Sequence, residues 1–171
     1  MAVLIGMASP SDPAYLPLAT RQGRVIPNRR EPEALVAWLR AARAIDRQTN
    51  PAALLRSTTA QYNCLGLVFA SRRTWIGVEQ LAMILTEDGY RRLGRFEEAW
   101  PGDVVVYRRP GGEATHVGII LEVAADVAAA GVRIKVLSKW GQHGEYIHDL
   151  PDVPPLLGVP SEAWSDRRDA P

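Results

Sequence analysis

The hydrophobic period of this chain changes once, at Trp100-Pro101-Gly102-Asp103, and that change constrains the fold more than any other feature. Before this turn, apolar residues recur every three or four positions, the spacing of helices packed on a core. Leu35, Trp38, Leu39, Ala42 and Ile45 make the first such stripe, and Pro32 suits an early helical position. Asn50-Pro51 interrupts it, and Ala52 to Leu55 reads as a further turn. Cys64 to Ser71, entered from Gln61-Tyr62-Asn63, predicts a short buried helix. Another runs from Val78 to about Glu87, buries Leu81, Ile84 and Leu85, and closes at Asp88-Gly89. After residue 103 the pattern is that of strands. Val104 to Tyr107, the turn Pro110-Gly111-Gly112 and His116 to Val123 predict a hairpin, followed by Val132 to Leu137 and a short Glu145-Tyr146-Ile147. Helices first and antiparallel strands second predict an α+β fold.

A chain of 171 residues is the size of one domain and can bury a core without disulfide or metal support. Thirteen prolines and 14 glycines argue against a long-helix bundle. Pro10, Pro13, Pro17 and Pro27 make residues 1–30 an irregular arm, a place where a protein partner can engage. The folded domain then covers residues 31–155, and residues 156–171 form an extended or flexible tail. Twenty basic against 19 acidic residues leave a net charge of +1, without the one-sided basic surface of a nucleic-acid binder. Arg29-Arg30, Arg72-Arg73 and Arg91-Arg92 are interspersed with acids and read as solvated faces. No run approaches the 18 or so apolar residues of a membrane span. The apolar start, Met1 to Met7, is short and precedes the first basic residue, Arg21, which is unlike an export signal. The expected location is therefore cytoplasmic, with a signal-less secretion route left open.

The chain has one cysteine, Cys64, placed where the predicted helix begins. Free backbone N–H groups and the helix dipole favour a thiolate there. A thiol nucleophile also needs a base, normally a histidine from elsewhere in the chain, and His116 opens a strand directly after a glycine turn. Taken alone, a single cysteine is more often a small buried apolar residue. His143 and His148 lie five apart, without the close ligand pairs of ordinary zinc sites, so no metal and no cofactor are expected.

Three blocks in order, Asn63-Cys64-Leu65-Gly66-Leu67-Val68, Pro101-Gly102-Asp103-Val104-Val105-Val106-Tyr107 and His116-Val117-Gly118-Ile119-Ile120, resemble the NlpC/P60 family of papain-like cysteine hydrolases. The resemblance covers about residues 60–123, and His116 follows Cys64 by 52 residues, a separation that fits that layout. It implies a papain-like fold, Cys64 as nucleophile, His116 as its base, and cleavage of an amide bond through an acyl-enzyme. Wall peptides of bacteria are frequent substrates of the family. Asn63 stands where the family has Asp, and Leu65 where it has a small residue, which narrows the expected cleft beside the thiol. Strand-on-strand alignment places Ser138 at the third, imidazole-orienting position, with Gln142 or His143 as alternatives. Tyr62, Trp140, Gln142 and His143 are the expected substrate-binding residues, with a peptide or other amide as substrate. A non-catalytic binding module on the same scaffold, or a thiol acyltransferase, are the alternatives.

Overall fold

The computed structural model describes residues 15–126 and 131–167. The first half of the N-terminal arm and the last four residues lie outside the described residues. Seven strands make one antiparallel sheet: β2 (Leu54–Ser57), β4 (Arg91–Arg92), β5 (Val104–Arg108), β6 (Ala114–Asp126), β7 (Gly131–Trp140), β8 (Gly144–Asp149) and β9 (Val159–Ser165). Their order is β2-β8-β7-β6-β5-β9-β4, and β1 (Asn28–Arg29) pairs with β3 (Trp75–Ile76) in a separate two-stranded sheet. The helices are α1 (Val36–Thr49), α2 (Cys64–Phe69) and α3 (Leu81–Glu87), the last entered through a 3₁₀ turn at Val78–Gln80. The chain is thus α+β with an antiparallel sheet. The β5–β6 hairpin closes through Gly111 and Gly112 at φ of 106° and 90°, backbone that suits glycine alone.

Residues directly opposite in an antiparallel ladder share a face. Val106 stands opposite Val117 and Val104 opposite Ile119, while Tyr107 stands opposite His116 and Val105 opposite Gly118. The first set points to the side covered by α2 and α3, where Val104, Val106 and Val117 pack with Cys64, Leu65, Leu81, Ile84 and Leu85. Full burial of each such aliphatic side chain is worth about 1.5–3 kcal/mol. The second set points to the other side, where Val105, Tyr107, Ile120 and Val136 pack with Leu93, Val153 and Ala163. Asp46 of α1 reaches that side by accepting a hydrogen bond from Tyr146 at 2.9 Å.

Two segments differ from the sequence expectation, and the structure gives the arm and the tail definite places. On α1 the buried residues are Leu39, Ala42 and Asp46, whereas Trp38 and Ile45 are exposed and Leu35, just before it, is 80% exposed. Two overlapping stripes share Leu39 and Ala42, and the packed one continues to a carboxylate that an apolar pattern cannot reveal. Ala52 to Leu55 is not a helical turn, because Leu54 and Leu55 enter edge strand β2. The second half of the arm is tied down: Leu16 and Ile26 are buried, and Asn28 exchanges hydrogen bonds with the Leu16 backbone at 2.8 and 3.0 Å. The expected C-terminal tail is extended as β9, inside the sheet between β5 and β4, with Ala163 and Ser165 buried. Its proline, Pro160, sits beside an irregularity in the pairing with β5, where a missing N–H costs least.

A Cβ built on Gly66 would stand 1.8 Å from the Thr74 carbonyl oxygen, so backbone must move to admit one. Gly66→Ala should cost about 2 kcal/mol despite its better helix propensity, lowering Tm by about 4–8 °C in a thermal melt. His116 is 1% exposed, and burial, with His148 adding to it, pushes its pKa down to about 3. The unfolded chain protonates this residue near its ordinary value of about 6.5. Stability is therefore complete above that value and falls with pH below it, by about 1.4 kcal/mol per unit for each such histidine. Urea titrations between about pH 6.5 and about pH 5, above the carboxylate range, should show that slope, and His116→Phe should flatten it.

Candidate functional site

Helix α2 is six residues long and is held by its ends. Its N-cap, Asn63, accepts from the Gly66 N–H at 2.9 Å and the Ile76 N–H at 3.2 Å. The same side chain donates through Nδ2 to the Ile76 carbonyl at 2.7 Å. A carboxylate cannot make that last bond, which explains Asn where the resembling family has Asp. Beyond the other end, Ser71 and Arg72 take left-handed φ of 48° and 65°, and the Arg72 N–H caps the Gly66 carbonyl at 2.9 Å. Left-handed backbone costs a non-glycine residue about 1–2 kcal/mol, here offset by what Arg72 reaches.

That target is Glu145. Its carboxylate accepts from Arg72 Nε at 2.8 Å, from the second guanidinium arm at 3.1 Å, and from the Tyr62 hydroxyl at 2.6 Å. Burial alone would raise the Glu145 carboxyl, but Arg72 and Tyr62 hold it below its ordinary value. Burial and that hydrogen bond push the Tyr62 phenol up to about 12. Opposite Glu145 in the ladder stands Lys139, fully buried, which donates to the Gly141 carbonyl and lies 5.5 Å from the Tyr62 ring centroid. Burial is the main cause that brings the Lys139 ammonium down to about 8.

Cys64 begins α2 on this same side of the sheet and is 9% exposed. Burial pushes its thiol up, opposed by the backbone groups of Val117, Leu65 and Cys64 itself and by the charge of Lys139. Leu65, the next residue, is 1% exposed and packs in the same core cluster as Cys64.

The other expected residues lie elsewhere. His116 faces the opposite side of the sheet against the Tyr107 ring, 5.2 Å between centroids, and neither ring nitrogen has a hydrogen-bond partner among the described residues. The structure therefore does not bring Cys64 and His116 together. Ser138 is also on that far side, bonded to His148 Nε2 at 2.8 Å. Because His148 Nδ1 meets the Asp149 carbonyl at 2.8 Å, it carries the proton, and the neutral ring accepts at Nε2 from the Ser138 hydroxyl. Ser138 thus orients His148, not His116. Trp140 donates to Ser138 at 3.0 Å and stacks on Tyr146 at 4.1 Å, which makes it a core residue and not a groove wall. His143 meets both Asp46 oxygens at 3.2 Å, and Gln142 is half-buried in the turn between β7 and β8. Of the expected set, only Tyr62 lies on the same side of the sheet as Cys64.

Sequence reasoning passed over Lys139, Glu145 and Arg72. The signal was the alternation through β7 and β8: Lys139 and Glu145 share a face with the apolar Leu137 and Ile147. Arg72, read as part of a solvated run, is instead half-exposed and paired to a buried acid. Among the described residues no cluster of three or more His, Cys, Asp or Glu side chains is arranged to hold a metal ion. No described helix is long and apolar enough to cross a membrane. Comparison of this chain with family models, curated proteins and solved structures finds no match.

Proposed function

We propose that the protein is a thiol-dependent amide hydrolase of papain-like type, with Cys64 as nucleophile. The observation that carries this reading is the setting of the one thiol. It starts a helix, backbone groups of Cys64, Leu65 and Val117 favour its charged form, and a buried lysine lies on the same side of the sheet. Such groups favour a thiolate and, in the next step, the oxyanion formed when sulfur adds to a carbonyl carbon. The order of the three sequence blocks, similar to that of NlpC/P60 hydrolases, supports the same chemistry. In this reading sulfur adds to the amide carbonyl, the C–N bond breaks as the amine takes a proton, and water releases the acyl group. An amine or lipid acceptor in place of water would make the protein an acyltransferase, and product analysis separates the two. A non-catalytic binding module is the second reading, favoured by the burial that raises the thiol and by the placement of His116 across the sheet.

Mixing the folded protein with p-nitrophenyl acetate, a generic acyl donor, tests the reading. The expected result is a burst of p-nitrophenol with an acetyl group on Cys64 by peptide mass spectrometry, both absent in Cys64→Ala. A thiol that accepts acetyl only after urea unfolding would favour the binding module.

A further inference from the structure

Lys139 sits where packing alone would not place a lysine. It is 0% exposed, in the middle of an antiparallel sheet, and its ammonium donates to the Gly141 carbonyl. Glu145, its cross-strand neighbour, is the obvious counter-ion, yet the Glu145 carboxylate is already engaged by Arg72 and Tyr62. Among the described residues no carboxylate forms an ion pair with Lys139. Burying an ammonium without a counter-ion is costly, and a simple strand position would be filled better by Leu or Met. Cys64 has the complementary deficit: its thiol is buried on the same side, and the histidine expected to serve it points the other way. Leu67, one turn along α2 from Cys64, packs with Leu137 of β7 and with Tyr62, and Lys139 is the next residue of β7 on that face.

We infer that Lys139 is the proton acceptor and counter-ion of Cys64, the place that the sequence blocks assign to His116. The inference rests on the thiol chemistry proposed above. The neutral Lys139 amine takes the thiol proton, leaving a thiolate beside an ammonium. Sulfur then bonds to the carbonyl carbon while the π pair moves to oxygen. On collapse the C–N bond breaks, and the Lys139 proton goes to the leaving nitrogen. Water adds with its proton passing to Lys139, and that proton returns to sulfur when the thioester C–S bond breaks. The charged and titratable groups around the pair are Tyr62, Arg72 and Glu145 on the inner side and Arg43 and Glu33 beyond Lys139. An amine brought down to about 8 is partly neutral near physiological pH, as a proton acceptor must be.

The test is the pH profile of Cys64 alkylation by iodoacetamide in the folded chain, with thermal melts to establish folding. Wild type should show a rate that rises through about pH 8. Lys139→Met and Lys139→Gln should move the rise above the free-thiol value of about 8.5 and slow alkylation at neutral pH about tenfold. His116→Gln should leave the profile in place. Folded Lys139 variants with the wild-type profile would overturn the role of Lys139 while leaving Cys64 as nucleophile, and a shift in His116→Gln alone would do the same. A wild-type thiol inert until unfolded would overturn the underlying reading as well. If neither Lys139 variant folds, the Lys139 Cε resonance of the wild type is titrated by NMR against Cys64→Ser. A changed Lys139 midpoint supports the pair, and an unchanged one overturns it.

Discussion

The register of β6 against β5 and β7 decides the chemistry available on each side of the sheet. Side chains alternate strictly along a strand, so a slip of one residue would exchange the two faces. The observed pairing sets Gly118 opposite Ser138, and a Cβ on Gly118 would lie 2.5 Å from Val136 Cγ1 and 3.1 Å from Ser138 Cβ. Only a residue without a side chain fits there, which pins the register. From that single placement the rest follows. Val117 turns toward α2 and Cys64, His116 turns away, and Lys139 and Glu145 come to the α2 side while Ser138, Tyr146 and His148 go to the other.

The sheet therefore separates two buried polar layers of different electrostatic character. On the α2 side the groups are ionic: Lys139, Glu145 and Arg72, with Tyr62 between them. That layer reaches water through Arg72, whose side chain is 48% exposed. On the far side Trp140, Ser138 and His148 are neutral and hydrogen-bonded in sequence to the Asp149 carbonyl, and only His116 beside Tyr107 has no such bond among the described histidines. A neutral layer can be buried at little cost once its bonds are made, whereas charges need either solvent or one another. The thiol lies with the charged layer, which is where a reaction that creates and discharges an anion is best served.

Most elements were legible in the sequence, because period and turn residues are local. The start of α2 at Cys64, the buried Leu81, Ile84 and Leu85 of α3, and the β5–β6 hairpin all follow from spacing. Which way His116 points does not. Both faces of the central strands are covered, so His116-Val117-Gly118-Ile119-Ile120 is continuously apolar around its histidine and carries no alternation to mark an inner face. The same absence hid Lys139, which the sequence presents as an ordinary polar residue beside Ser138. β9 was obscured for another reason. Its inward positions are filled by Ala163 and Ser165, small residues chosen by close packing against neighbours, and hydropathy does not register them.

A helix of six residues has no stability of its own, so the position of Cys64 is a tertiary property. Three attachments fix it from different directions. Asn63 ties the start of α2 to β3 through the Ile76 backbone, Gly66 lets the helix lie against the Thr74 carbonyl, and Arg72 anchors the exit to Glu145. The last two attachments are linked, because the Gly66 carbonyl caps the strained turn that delivers Arg72. Each is short-range and directional, which restricts the helix to one orientation more tightly than apolar contact would. The sulfur is thereby held against the Val117 backbone, and the sheet register that put Lys139 on the same face completes its surroundings. Placement of the thiol and placement of the amine thus come from separate parts of the chain, and they meet only in the folded molecule.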